Sequence, residues 1–309
     1  MQSIISISND YGTIFDNIIE YGVKKFQDIK SEALILGISG GIDSALIAAL
    51  AQEINSRLDN KFNLIGRTLK ITGNKHDEID RAKRIGEAFC NYFETVNLTM
   101  SYRTLVLSML PELFINKETF SRQNGGIFSP EHRKIRLGNI KARLRMIYLY
   151  DLARKNNGIV LSTDNLTEFL LGFWTLHGDV GDIGLIQNLW KTEVYGLSKY
   201  LISKYIGIAS ELPLMLSEKY ENRAIALIKC VNATPTDGLG ITNSDLDQLG
   251  AETYEEVDRL LIAYLSAASD AEKEIIAKNN SVICRHIKTE FKRNNPENIP
   301  REFLFQKRV

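Results

Sequence analysis

The run Ala33-Leu34-Ile35-Leu36-Gly37-Ile38-Ser39-Gly40-Gly41-Ile42-Asp43-Ser44-Ala45-Leu46 constrains the fold of this chain more than any other stretch. A short apolar segment, of the kind that suits a buried parallel strand, breaks at Ser39-Gly40-Gly41 and restarts as a helical pattern from Asp43. Glycines at that corner let the backbone turn sharply and approach a ligand closely. The helix that follows aims free N–H groups and the positive end of its dipole at whatever sits there, which favours phosphate. Ser39 and Ser44 add hydroxyls, and Asp43 puts a carboxylate where a divalent cation can bridge to phosphate oxygens. No Gly-Lys-Ser/Thr follows, so the loop is not of the Walker type.

Strand and helix patterns alternate around this corner. Residues 11–30 read as an amphipathic helix with Phe15, Ile18, Ile19, Val23 and Phe26 on one stripe. Strands are predicted at 33–38, 62–66, 94–98 and 158–162, and helices at 43–54, 77–92 and 138–155. Residues 116–136 are polar and rich in turn formers, and predict a surface loop; 163–184 read as irregular; from Lys191 onward the chain reads as mostly helical. The expected product is a doubly wound parallel sheet, covered on both faces, with additional C-terminal helices. Ligands of such sheets sit beyond the carboxyl ends of the strands, where the Ser39–Ser44 corner falls. The 309 residues are read as one domain, 1–309, with its core at about 30–295.

Bulk properties exclude some functions. Lys+Arg and Asp+Glu both total 38, so the net charge is zero, which counts against a general binder of nucleic acid or of a membrane surface. Cys90, Cys230 and Cys284 are odd in number and form no CxxC pair, so neither a zinc site nor a disulfide framework is suggested. The first ten residues lack the cationic start of a signal peptide, and no apolar run reaches the roughly 20 residues that cross a bilayer. A cytoplasmic protein is expected.

Three further segments carry chemistry. Gly138-Asn139-Ile140-Lys141-Ala142-Arg143 opens a helix with two cations; Thr163-Asp164-Asn165-Leu166-Thr167-Glu168 follows a strand; Gly178-Asp179-Val180-Gly181-Asp182 is an acidic loop leading towards Lys191. A lysine at a helix N-terminus opposes the dipole, which points to another job for Lys191. The Ser-Gly-Gly-x-Asp-Ser loop resembles the pyrophosphate-binding loop of the ATP pyrophosphatase (PP-loop) superfamily, whose fold is adenine nucleotide alpha hydrolase-like. With Gly-Asn-Ile-Lys-Ala-Arg, Ser-Thr-Asp, the later Glu, Gly-Asp and Lys-Thr, and Ala-Thr-Pro-Thr-Asp, the chain resembles the ammonia-dependent NAD synthetases.

That resemblance implies a ligase converting deamido-NAD to NAD with ATP and ammonia, through an acyl-adenylate, with release of AMP and pyrophosphate. It implies that Gly37, Ile38, Ser39, Gly40, Gly41, Ile42, Asp43 and Ser44 hold the ATP phosphates, with Thr163, Lys191 and Thr236 also contacting ATP. Asp43 and Glu168 would bind Mg2+ and act with Lys191 in catalysis. Arg143, Asp182 and Lys292 match positions that hold deamido-NAD. A homodimer is implied, and with no glutaminase segment or cysteine nucleophile motif in the sequence, free ammonia is the expected nitrogen source. The chemistry is coherent: the pyridine carboxylate lacks a good leaving group until adenylation, and the departing pyrophosphate needs neutralising by magnesium and cations. No protein nucleophile is required; His177, near the acidic loop, has no assigned role.

Several positions depart from the family pattern. Leu176 stands where a lysine is usual, Asn165 where a histidine is usual, and Ser162 where a glycine is usual; the acidic loop is one residue short, so the Asp182 assignment depends on where the gap falls. Extra sequence occurs near 116–136 and 212–229. These departures spare the ATP half and leave two alternatives open: an adenylating amide ligase for another carboxylate, and a nucleotide-binding protein without catalysis.

Overall fold

Alternation along one buried strand sets the layers of the molecule. In the computed structural model, which describes residues 6–109, 130–235 and 244–295, strand β1 (Ala33–Gly37) sends Leu34 and Leu36 into one apolar cluster and Ala33 and Ile35 into another. Because successive side chains point to opposite faces, a strand apolar at every position needs cover on both sides.

Four more strands run parallel to it: β2 (Asn63–Lys70), β3 (Tyr92–Asn97), β4 (Gly158–Ser162) and β5 (Ile183–Gly184), in the order β3-β2-β1-β4-β5. Ile35 pairs with Ile65 on one side and Val160 on the other. The chain steps outward from β1 to β2 and β3, then returns across β1 to β4. The order therefore reverses between β1 and β4, and a crevice opens there beyond the strand ends. The doubly wound α/β expectation holds.

The first face is covered by α1 (Tyr11–Gln27), α2 (Ile42–Arg57) and α3 (His76–Phe89). Helix α1 buries Phe15, Ile19 and Phe26 completely, and ends at Gln27 rather than near residue 30. Its stop has a cause: Lys61 Nζ donates to the carbonyls of Phe26, Gln27 and Ile29 at 3.0, 2.8 and 2.7 Å, satisfying groups that a helix end leaves open. Helix α2 is buried on every side from Ser44 to Ala51, as expected of a helix enclosed between sheet and neighbours. On the second face lie α4 (Thr99–Met109) and α5 (Pro130–Lys155). Helix α5 starts earlier than the predicted residue 138, because residues 132–135 are exposed and the sequence there carries no apolar rhythm; residues 116–129 of the predicted loop lie outside the described residues.

Strand β2 also runs past its predicted end, to Lys70. Arg67 and Thr68 interrupt the apolar pattern, but pairing continues from Arg67↔Glu94 to Lys70↔Asn97. The segment expected to be irregular contains α6 (Leu166–Leu171) as well as β5, both too short to show a period. Helices α7 (Lys191–Glu211) and α8 (Leu214–Val231) return to the first face, and α8 accounts for the extra sequence near 212–229. The short helices α9 (Asp245–Leu249), α10 (Tyr254–Ser266), α11 (Asp270–Ala277), α12 (Ser281–Lys288) and α13 (Glu290–Arg293) follow; α6, α9, α10 and α12 share a third apolar cluster around Trp190. Among the described residues, no helix is long and apolar enough to cross a membrane.

Candidate active site

The corner after β1 is shaped by its glycines and tied by its serines. Gly40 has φ 85°, and a Cβ there would lie 2.2 Å from the Glu78 carbonyl of α3, so only glycine lets the two segments meet. Arg81 of α3 fastens the same peptide, its Nε donating to Gly40 O at 3.0 Å. Ser44 Oγ donates to Gly41 O at 3.0 Å, Gly41 N donates to Ser39 Oγ at 3.2 Å, and the two serine hydroxyls lie 3.1 Å apart. Gly41 is the N-cap of α2 and supplies no side-chain acceptor, so the first-turn N–H groups remain available to an anion.

Three charged side chains from distant segments meet at this corner. Lys191 Nζ lies 2.5 Å from Asp43 Oδ2 and 2.8 Å from Glu168 Oε1. Asp43 comes from the first turn of α2, Glu168 from α6 after β4, and Lys191 from the first turn of α7. The lysine is 2% exposed, and the ring of Tyr254 lies 5.3 Å from its Nζ. Burial alone would lower its pKa, but Asp43 and then Glu168 outweigh burial and hold it well above the usual lysine range. Burial, and then the Asp43 charge, push Glu168 up to about 8. Burial from solvent is the larger cause, and the neighbouring Asp43 charge adds to it, so the carboxyl rises although it is paired with Lys191.

Asn165 connects the acidic groups: its Nδ2 donates to Asp43 Oδ1 at 2.8 Å, and its Oδ1 accepts from Glu168 N at 3.0 Å as the N-cap of α6. Around them a pocket of about 530 Å³ is lined by Gly37, Ile38, Ser39, Gly41, Ile42, Asp43, Ser44, Thr163, Glu168, Lys191 and Lys292 from the sequence reading. Gly40 stands in the same loop, turned against α3. Lys292 Nζ donates to the carbonyls of Gly172 and Trp174 at 2.6 and 2.5 Å; burial, and then Arg285, lower its pKa.

Two expected substrate residues stand outside this pocket's lining. Arg143 is exposed and its Nη2 donates to Leu176 O at 2.8 Å. Asp182 is also exposed, and accepts from Val160 N through Oδ2 at 2.8 Å and from Tyr150 OH through Oδ1 at 3.0 Å. Neither lines the pocket, whereas Asp179 does, its Oδ1 accepting from Thr175 N at 2.7 Å. Thr236 lies outside the described residues. His177 has φ 54° and its Nε2 is 3.1 Å from Asn295 Nδ2. Among the described residues, no group of three or more His, Cys, Asp and Glu side chains is arranged to hold a metal. All three cysteines are free, with Cys230 buried, Cys90 partly so and Cys284 exposed.

The sequence pattern of the NAD synthase family matches residues 14–296. The chain belongs to this family. It is 32% identical over 250 residues to the ammonia-dependent NAD synthetase of Methanococcoides burtonii, covering 80% of this chain and 77% of that one. Among solved structures it resembles the NMN synthetase of Francisella tularensis (TM-score 0.67, 23% identity, 96% of this chain and 100% of the other). It also resembles the NAD synthetase of Burkholderia pseudomallei (TM-score 0.62, 24% identity, 96% of each). These structural likenesses speak to the fold.

The sequence reading overlooked Asp179, Thr167, Tyr254 and Asp258. Asp179 and Thr167 stand inside segments already singled out; Asp179 lines the pocket, whereas Thr167 is fully buried, its hydroxyl accepting from Lys191 N and donating to Asp258. Tyr254 and Asp258 lie on α10, whose composition looks like that of any amphipathic helix.

Proposed function

We propose that this chain forms NAD from deamido-NAD, ammonia and ATP, passing through an acyl-adenylate and releasing AMP and pyrophosphate. The observation that carries the proposal is the Asp43–Lys191–Glu168 cluster beside an uncapped helix N-terminus at the sheet's switch point. The α2 N–H groups and the Ser39 and Ser44 hydroxyls receive the ATP phosphates, and Lys191 stabilises negative charge as the substrate carboxylate attacks the α-phosphate. Thr163 lies on the pocket wall and is assigned to ATP, as is Thr236.

The donor set fits magnesium: two hard carboxyl oxygen ligands are the usual protein share of a magnesium–phosphate site. Asp43 and Glu168 would hold that ion, which supplies charge neutralisation to the departing pyrophosphate. Lys292, Asp179 and the indole N–H of Trp174 form the substrate side. Among the described residues that N–H has no hydrogen-bond partner, and a polar ligand atom would satisfy it. A homodimer is part of the proposal, supported by exposed Met100, Leu107 and Met109 on α4 and Ile147 and Tyr150 on α5, all on one face of the sheet.

One observation favours a second reading. Arg143 and Asp182 make their bonds within the protein and Leu176 is apolar, so the site offers fewer contacts to a second nucleotide than the family pattern implies. Amidation of a smaller pyridine acid fits that arrangement. Incubating the protein with ATP, magnesium and ammonium plus deamido-NAD or the nicotinate mononucleotide separates the two. NAD and AMP formed with deamido-NAD support the main reading; turnover with the mononucleotide alone overturns it.

A further inference from the structure

The N-terminus of α7 is held by three separate acceptors. Trp190 N donates to Glu193 Oε2 at 2.9 Å, Lys191 N to Thr167 Oγ1 at 2.8 Å, and Thr192 N to Asp258 Oδ2 at 2.9 Å. Asp258 does more than cap one donor. Its Oδ2 also accepts from Thr192 Oγ1 at 2.7 Å, and its Oδ1 accepts from Thr167 Oγ1 at 2.5 Å. This carboxylate is fully buried and comes from α10.

We propose that Asp258 is a positioning residue that sets Lys191 against Glu168 through Thr167. Thr167 precedes Glu168 in α6, and its hydroxyl accepts from the Lys191 amide while donating to Asp258. One carboxylate thereby fixes the helix carrying Glu168 relative to the helix carrying Lys191. The same helix reaches the other end of the lysine: Tyr254, one turn before Asp258, lays its ring 5.3 Å from Nζ, and its hydroxyl donates to Asp245 Oδ2 at 3.1 Å. Helix α10 thus reaches the Lys191 amide through Thr167 and its ammonium through Tyr254. The bonds of 2.5 Å to Asp43 and 2.8 Å to Glu168 require the Lys191 ammonium at one position, and the backbone anchor through Thr167 sets where that side chain starts.

The direction of the proton in this relay makes it testable without emptying the core. Thr167→Val keeps the shape and removes the hydroxyl; Thr167→Ser keeps the hydroxyl. Asp258→Asn keeps the volume but turns one acceptor into a donor facing Thr167. The proposal rests on the amide-ligase reading for its kinetic readout, so a second readout is independent of activity: the rate at which acetic anhydride labels Lys191, followed by mass spectrometry. Labelling at least threefold faster in Thr167→Val and Asp258→Asn, restored by Thr167→Ser, is the expected result. In the same variants kcat falls at least tenfold while the KM for ATP changes less than threefold, and the double variant is no worse than the poorer single one, since both cut one relay. Lys191 labelling at the wild-type rate in folded Thr167→Val and Asp258→Asn overturns the proposal. Absence of NAD formation by the wild-type protein would instead count against the proposed function, and the labelling result stands apart from it.

Discussion

Asn165 donates to Asp43, Nδ2 to Oδ1 at 2.8 Å, from the N-cap of the helix that carries Glu168. One amide thus orients the acid from β1's side of the crevice and starts the helix bearing the acid from β4's side. An aspartate there would cap equally well but repel Asp43. The neutral amide meets both needs, donating to Asp43 while its Oδ1 accepts from Glu168 N.

Asn165→Ala is expected to cost about 1 kcal/mol for the lost cap, roughly 2 °C in Tm. Activity should suffer more, with kcat down at least tenfold because Asp43 loses its tether. Thermal unfolding beside steady-state kinetics checks the split; a kcat loss no larger than the stability loss suggests would show the amide to be only a cap.

At Gly40 the backbone itself is the constraint. A side chain at φ 85° costs on the order of 1–3 kcal/mol, and the contact with the Glu78 carbonyl at 2.2 Å adds to it. Gly40→Ala should lower Tm and weaken ATP binding at least tenfold in calorimetry. Gly207→Ala is the control: a Cβ in that part of α7 meets nothing within 4 Å, and the change should stabilise by about 0.5–1 kcal/mol.

Lys191→Met leaves Asp43 and Glu168 facing each other without their cation. Breaking a buried ion pair from one side costs about 3–5 kcal/mol, so the variant should unfold well below the wild type and make no AMP. Magnesium should raise its Tm more than it raises that of the wild type, because the cation replaces the missing charge. Equal magnesium shifts in differential scanning calorimetry would remove Asp43 and Glu168 as its ligands.

How much of this was readable in advance depends on the range of the forces involved. The β1 corner is local chemistry: apolar run, glycines, serines and Asp43 lie within fourteen positions, so strand, turn and helix are written consecutively. Lys191 was legible as an anomaly, a cation at the wrong end of a helix, and the structure supplies its reason in two carboxylates. Asp258 left no such trace, because a buried carboxylate on α10 differs from a solvated one only through Thr167 and Thr192, far away in sequence. Arg143 and Asp182 matched the family by order along the chain, but their bonds to Leu176 O, Val160 N and Tyr150 depend on tertiary placement that order does not encode.

Asp164 provides the pH test. Burial, and then the charge of Asp179, push this carboxyl up to about 7, while Ser162 Oγ donates to it at 2.9 Å. Its pKa is higher folded than unfolded, so between about 4 and 7 the folded state holds the extra proton and stability falls as pH rises. Asp164→Asn keeps an acceptor for Ser162 and removes the charge. It should therefore raise Tm at pH 8, with the gain narrowing as pH drops from 7 towards 4. A pH-independent gain would mean that the carboxyl is ionised in the folded protein throughout that range.

Leu176 decides how the exposed cation beside it is used. Its carbonyl accepts from Arg143 Nη2 at 2.8 Å, so the guanidinium is already anchored outside the pocket lining, and the apolar side chain adds no charge there. Leu176→Lys places a second cation next to Arg143. Hydrogen bonds to charged groups contribute about 1.5–3 kcal/mol, which corresponds to at least a tenfold change in affinity for an anionic substrate. The expected result is a KM for deamido-NAD lowered about tenfold, with the KM for ATP unchanged. A folded variant whose dinucleotide KM stays the same or rises would show that the second nucleotide does not reach Arg143, and would favour amidation of the smaller pyridine acid.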